Sequence, residues 1–295
     1  MGYDSPLRYP GGKVSLAPIL AKTIELNGLS GCSYFEPFAG GAGAALRLLR
    51  EGVVSELRLN DLDPRITAFW KAVLNEPQRF ADAILSIPLS IAEWRRQRHI
   101  CLSANRRMSF ELGFAAFYLN RCNRSGVLFG AAPIGGYTQE GKWRIDARFN
   151  RKNLAERIFV ISRHRKQIHV TNMDALAFLI KHLPRGGERK RVFAYLDPPY
   201  YSNGDRLYLN SYKSQGHKKL ASYIQRQSIL RWVMSYDDTC FIRALYTTCV
   251  TSHLPLQYSL QRKQQARELL IAPSRVRLPA YVASTDTNEC EAASA

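Results

Sequence analysis

Between Ser33 and Leu74 the chain twice alternates a short apolar run with a longer amphipathic one. Ser33-Tyr34-Phe35-Glu36-Pro37 reads as a buried strand ending in a turn. Ala42 to Glu51 reads as a helix, with Ala44, Ala45, Leu46, Leu48 and Leu49 apolar and Gly52 at its C-terminal stop. Glu56 to Asn60 is a second strand, and Pro64 to Leu74 a second helix with Pro64 in its first turn. Strands separated by whole helices cannot pair as hairpins, so this order requires a parallel sheet with crossover helices. The same logic returns after residue 167. A strand is expected at Ile168–Asn172, a helix at Ala175–His182, a basic loop at Pro184–Lys190 and a strand at Arg191–Leu196. An irregular loop from Tyr201 to about Gly216 leads to a helix from His217 to Ile229, a strand at Arg231–Tyr236 and a short helix at Cys240–Tyr246. Gln257–Gln261 and Glu268–Ala272 read as a closing hairpin. The fold class is α/β, a Rossmann-like sheet with helices on both faces.

Residues 77–155 interrupt this alternation. They are helical in period at first and then irregular from Asn120 to Asn150, where Gly and Pro alternate with Arg and aromatic residues. The run Arg151–Lys166 reads equally as a helix face followed by a strand. The domain division expected is therefore 1–76 with 156–280 as one core, 77–155 as a mainly helical insertion, and 281–295 as a disordered tail.

Charge narrows the partner. Forty-two Lys and Arg against 24 Asp and Glu leave a net charge of +18, a balance that attracts polyanions, nucleic acid first among them. The six cysteines (Cys32, Cys101, Cys122, Cys240, Cys249, Cys290) are scattered, with no C-x-x-C pair and no His at zinc spacing. They read as reduced thiols of a cytoplasmic protein, and no metal site is expected. Met1 to Gly12 lacks the apolar stretch of a signal peptide, and no apolar run approaches membrane-spanning length.

Four segments carry chemistry. Phe38-Ala39-Gly40-Gly41-Ala42-Gly43 links a strand to a helix, where glycines let the backbone turn and a ligand approach closely; Leu46 stands where a dinucleotide fingerprint would have its last glycine. Asn60-Asp61-Leu62-Asp63 ends the next strand. Asp61 there can accept ribose hydroxyls, although Asp61 or Asp63 before Pro64 also suits a helix N-cap. Asp197-Pro198-Pro199-Tyr200 ends a third strand. An exocyclic amino group on a base is a poor nucleophile because its lone pair is delocalised into the ring. Asp197 can accept one N–H, the Pro198 carbonyl the other, and Tyr200 can stack on a base that has left the helix. These residues serve adenine N6 and cytosine N4 alike. Finally, Arg8-Tyr9-Pro10-Gly11-Gly12-Lys13 precedes a helix and reads as a carboxylate- or phosphate-holding turn, or as a plain basic turn.

In this order the four segments resemble the Dam-like family of DNA adenine-N6 methyltransferases, from about residue 5 to about 275. Tyr118-Leu119-Asn120-Arg121, Gly135-Gly136-Tyr137, Arg148-Phe149-Asn150, Trp232 to Asp237, and Tyr258 with Glu268-Leu269-Leu270 extend the match. The resemblance implies S-adenosylmethionine as methyl donor. Tyr9 and Lys13 would line its methionine end, Phe38, Gly40 and Gly43 the floor of its pocket, Asp61 its ribose and Asp174 its adenine. Asp197 is counted among the cofactor contacts too. Asp197, Pro198 and Tyr200 would act on a flipped-out adenine, and residues 77–155 would recognise the target in double-stranded DNA. The chain departs from the family at Ala266, where glycine is usual. It departs also in the loop Arg121-Cys122-Asn123-Arg124-Ser125-Gly126-Val127, which is closer to the phage and mobile-element branch than to the GATC enzymes.

Arg95, Arg96, Arg98, Arg106 and Arg107 crowd one stretch of the insertion, and Arg121, Arg124, Lys142, Arg144 and Arg148 the next. Most should meet phosphates, while Arg121, Asn123 and Arg124 are the candidates for base edges, with Tyr137 grouped beside them. The readings set against adenine methylation are cytosine-N4 methylation, a catalytically silent DNA-binding regulator, and methylation of a protein glutamine, for which Asn is usual at the position of Asp197. A monomer or weak dimer is expected, with or without a cognate restriction enzyme.

Overall fold

A computed structural model describes residues 5–8, 13–103, 108–201, 213–254 and 268–283. Seven strands form one sheet: β1 (Cys32–Glu36), β2 (Val54–Asn60), β3 (Ile168–Thr171), β4 (Val192–Leu196), β5 (Arg231–Asp237), β6 (Cys249–Leu254) and β7 (Glu268–Pro273). Their order is β3-β2-β1-β4-β5-β7-β6. The pairs from β3 through β5 are parallel, and β7 runs antiparallel to both β5 and β6. Strand β4 is buried at every position, as a central parallel strand covered on both faces must be.

Helices α1 (Ala17–Leu26), α2 (Gly43–Arg50) and α3 (Pro64–Asn75) follow as the alternation requires. Asp63 caps α3: its side chain accepts the Arg65 amide at 2.9 Å, with Pro64 at the first helical position. The next helices are α4 (Pro77–Ser86), α5 (Ile91–Leu102), α6 (Phe110–Cys122) and α7 (Arg151–Ser162). Ser90, Ser109 and Asn150 cap α5, α6 and α7. Helix α6 is buried from Leu112 to Asn120, and it lies so close to α3 that a Cβ on Gly113 would sit 2.5 Å from the Ala68 carbonyl oxygen. Phe69 of α3, Phe80 of α4 and Phe117 of α6 meet there in mutual edge and stacked contacts. The helical part of the insertion thus shares one apolar core with the sheet. Residue 155 lies inside α7, which packs on α4 and runs on to Ser162 without a break.

The remaining helices are α8 (Ala175–His182), α9 (Ser214–Gln225), α10 (Cys240–Leu245) and a final turn, α11 (Ala280–Ala283). Three expectations shift. Helix α9 begins and ends earlier than His217–Ile229; just beyond its end Arg275 donates to the Gln227 carbonyl and Arg189 to the Gln227 side chain. The Pro184–Lys190 loop contains a 3-10 turn, Gly186–Arg191, tied by Arg189 Nε to the Pro184 carbonyl at 2.9 Å. The partner of β7 is Cys249–Leu254; the strand expected at Gln257–Gln261 lies outside the described residues, as do residues 284–295 of the expected tail. Among the described residues no helix is long and apolar enough to cross a membrane.

Candidate active site

Strand order reverses between β1 and β4, which opens a crevice at the carboxyl ends of the parallel strands. Each motif arrives there from its own strand: Glu36–Gly43 from β1, Asn60–Asp63 from β2, Asp197–Tyr200 from β4. Because β7 runs the other way, its first residue, Glu268, reaches the same edge, opposite Asp237 of β5.

The catalytic loop is held by charge. Asp197 Oδ1 accepts the Ser235 hydroxyl at 2.7 Å and lies 3.4 Å from Lys13 Nζ. Ser235 spends its proton on Asp197, so Tyr195, 2.7 Å away, donates to Ser235 in turn. Asp197 Oδ2 takes no hydrogen bond among the described residues. Lys13, 7% exposed, donates to Glu268 Oε1 at 2.6 Å and to the Tyr200 hydroxyl at 2.8 Å, and Tyr200 donates to the same Glu268 oxygen. A buried ammonium is tolerated only with such partners. Burial pushes the carboxyls of Asp197 and Glu268 up; Lys13 opposes this at both, and the charge of Asp197 adds to it at Glu268.

The glycine loop is fixed from both sides. Gly40 is left-handed (φ 45°); its amide donates to Asp61 Oδ2 at 2.8 Å, and its carbonyl accepts the Trp70 indole at 3.0 Å. A Cβ on Gly43 would overlap Val14, so the absence of a side chain lets the turn carrying Lys13 close onto the loop. Ala42, also left-handed at φ 46°, marks backbone strain between them. Since Asp63 takes the N-cap, Asp61 is left to the loop. Its Oδ1 accepts the Asp63 amide at 2.8 Å, and burial together with the charge of Asp63 raises its pKa to about 7. Buried Asn60 bridges three strand ends, donating to the carbonyls of Pro37 and Met173 and accepting from Thr171 and the Met173 amide. Asp174 caps α8 through two 3.0 Å bonds from Leu176 and Ala177, and its side chain is exposed. Phe38 is half-buried against the apolar cluster of β4 and β5. Tyr9 lies outside the described residues.

The crevice suits a cationic ligand. Glu36 is buried with Oε2 unpartnered among the described residues, and burial followed by the charges of Asp197 and Asp61 holds its carboxyl well above the ordinary range. A sulfonium or ammonium group would satisfy this concentration of carboxylates, with Asp61 left to receive hydroxyls.

The insertion distributes its polar residues differently. Asn123 is 1% exposed. It accepts the Trp94 indole at 2.6 Å and donates to the carbonyls of Val127 and Leu128, so no edge is left for a base. Asn120 clasps the backbone of Arg8 and the Gly126 carbonyl. Arg121 is half-buried and bonds the Arg148 carbonyl; burial and the neighbouring Arg8, Arg157 and Arg148 lower its pKa to about 10. Arg124 and Arg95 are exposed. Arg96 is exposed and forked onto Glu93. Tyr137, 57% exposed, stands edge-on to Trp94. Arg106 and Arg107 lie outside the described residues.

Ser235, Glu268 and Trp70 carry no role in the sequence reading. The available signal was a polar residue in an otherwise apolar strand, Ser235 after Trp232-Val233-Met234 and Glu268 before Leu269-Leu270-Ile271.

The sheet order, the glycine loop at β1, the acid at β2 and the carboxylate loop at β4 define an S-adenosylmethionine-dependent methyltransferase. Residues 9–264 match the model of the D12 class N6 adenine-specific DNA methyltransferases, and the chain belongs to that family. No individual curated protein matches it. Its substrate is DNA and its product N6-methyladenine; S-adenosylmethionine supplies the methyl group as an electrophile on sulfur.

Proposed function

We propose that Asp197 accepts one N6–H of an extrahelical adenine through Oδ2, that the Pro198 carbonyl accepts the other, and that Tyr200 stacks on the ring. The observation that carries this reading is the asymmetry of Asp197. Oδ1 is fixed by Ser235 and Lys13 while Oδ2 takes nothing among the described residues. An acceptor held by one oxygen and offered by the other costs little reorganisation when the amino group arrives. Withdrawing both N–H bonds from the ring plane localises the nitrogen lone pair and stabilises the positive charge that develops during transfer. Lys13 and Tyr200 are held through Glu268, and Asp61, Gly40, Phe38 and Asp174 border the cofactor side.

Transfer of tritium from labelled S-adenosylmethionine to duplex DNA, followed by nucleoside analysis, tests the reading. Asp197→Asn keeps the shape and offers a weaker acceptor. Its kcat should fall about 100- to 1000-fold with cofactor binding retained. An Asp197→Asn enzyme within threefold of the parent would refute the assignment.

A further inference from the structure

One buried carboxylate at the crevice holds two groups of that reading and is given no contact with the base. Glu268 is 2% exposed, its Oε1 accepts from both Lys13 and Tyr200, and its Oε2 has no hydrogen-bond partner among the described residues. It enters from the antiparallel strand, outside the loops that follow the parallel strands. Lys13 lies 2.6 Å from Glu268 and 3.4 Å from Asp197, so the lysine is engaged chiefly by the carboxylate that does not face the base.

Resting on Asp197 as the acceptor, we infer that Glu268 is a positioning residue of the methyl transfer: it draws Lys13 away from Asp197 and anchors the Tyr200 hydroxyl, which keeps Asp197 a strong acceptor and Tyr200 in a fixed plane. Without Glu268, the ammonium would close fully onto Asp197 and compete with the adenine amino group. Tyr200 would lose its charged acceptor. The groups that bear on this arrangement are Lys13, Asp197 and Tyr200, Tyr195 behind Ser235, Glu36 beside Asp197, and Asp237 opposite Glu268 on β5.

Glu268→Gln tests it with three readouts. The kcat should fall about tenfold while the KM for DNA moves less than about twofold. The acid limb of the kcat profile should move down by about one pH unit, because Lys13 then favours the charged form of Asp197 alone. Glu268→Asp should return the acid limb toward its original position. The third readout is the 13C carboxyl resonance of Asp197 in the free protein, assigned by its loss in Asp197→Asn; its titration should move down by the same amount. A residue needed only for folding would lower stability and leave both titrations in place, and unmoved titrations would overturn the inference. If Glu268→Gln does not fold, Tyr200→Phe carries the test. It removes only the anchored hydroxyl and should lower kcat about fivefold; a value within twofold of the parent would overturn the anchor. The resonance needs no turnover. An Asp197→Asn enzyme within threefold of the parent would therefore refute Asp197 as acceptor, whereas an Asp197 titration left unmoved by Glu268→Gln would refute Glu268.

Discussion

The catalytic crevice and the segment from the end of α6 through Asn150 are both rich in polar residues, and they use them in opposite ways. In the crevice, charged side chains hold one another: Lys13, Glu268, Tyr200 and Asp197 form one set, and Ser235 and Tyr195 extend it inward. In the loop, buried or half-buried amides hold backbone. Asn123, Asn120 and Gln139 spend their hydrogen bonds on carbonyls and amides of an irregular chain that has no ladder of its own. Of the charged residues there, Arg124, Arg144 and Arg148 are exposed, while Arg121 is half-buried and spends itself on the Arg148 carbonyl. A sheet edge supplies fixed backbone, so its side chains are available for chemistry. An irregular loop must satisfy its own backbone first, and only what is left over can face DNA.

Asn123 and Arg124, adjacent in sequence, give the sharpest way to break this contrast. Asn123→Ala strands the Trp94 indole and two loop carbonyls away from water, and should lower stability by about 2–3 kcal/mol. Thermal or urea unfolding measures it. Arg124→Ala should leave stability within about 0.5 kcal/mol and weaken DNA binding about tenfold, with a shallower salt dependence. Should Asn123→Ala fold as stably as the parent and change only sequence preference, the division between bracing and reading residues would be wrong.

The same contrast explains what could be read from the sequence. The alternation from Ser33 to Leu74 placed β1, α2, β2 and α3 to within a few residues, because each is set by local period and by a cap or a stop. Asp61 was expected to be a ligand-holding acid; that Asp63 would take the cap and leave Asp61 to the glycine loop was not legible, since both acids suit that position. Asn123 was expected among the base-reading residues because an Asn between two Arg suits a DNA interface. Its burial depends on Trp94, twenty-nine residues away, and nothing local signals that pairing. Glu268 was legible only as a polar residue heading an apolar strand and as part of a family match; its place at the crevice comes from β7 being antiparallel, a fact of topology. The first strand of the hairpin, Cys249–Leu254, was missed for a related reason: in this edge strand the apolar Cys249-Val250 and the polar Thr251-Ser252-His253 come in runs and do not alternate.

Asp61 sharpens the crevice side of the comparison through pH. Its carboxyl is raised from the ordinary 3.8 to about 7 by burial and by Asp63. The unfolded chain loses this proton earlier than the folded one, so the group's contribution to the stability of the free protein falls as pH rises between these values. Cofactor binding should run the other way. Ribose hydroxyls need an ionised acceptor, and the ionised fraction grows through pH 7. Affinity for S-adenosylmethionine should rise up to about tenfold from pH 6 to pH 8. Calorimetry at the two pH values measures this, and Asp61→Asn should bind more weakly with that dependence removed. An unchanged pH dependence in Asp61→Asn would assign the titration to another group.

The smallest expected effect lies on α5, where Arg95 and Arg96 are neighbours with the same charge and different commitments. Arg96 is forked onto Glu93, and that bond also organises Gln97, which donates to the same carboxylate. Arg95 is exposed and makes no ion pair among the described residues. A phosphate approaching Arg96 must compete with Glu93, whereas Arg95 can release a counterion at no such cost. Arg95→Ala should therefore weaken DNA binding about threefold and reduce the salt slope by roughly one, while Arg96→Ala should change both by less. Equal losses would mean that Arg96 leaves Glu93 on binding. Exposure alone would then decide which cations of the insertion meet DNA, whatever ion pairs they hold in the free protein.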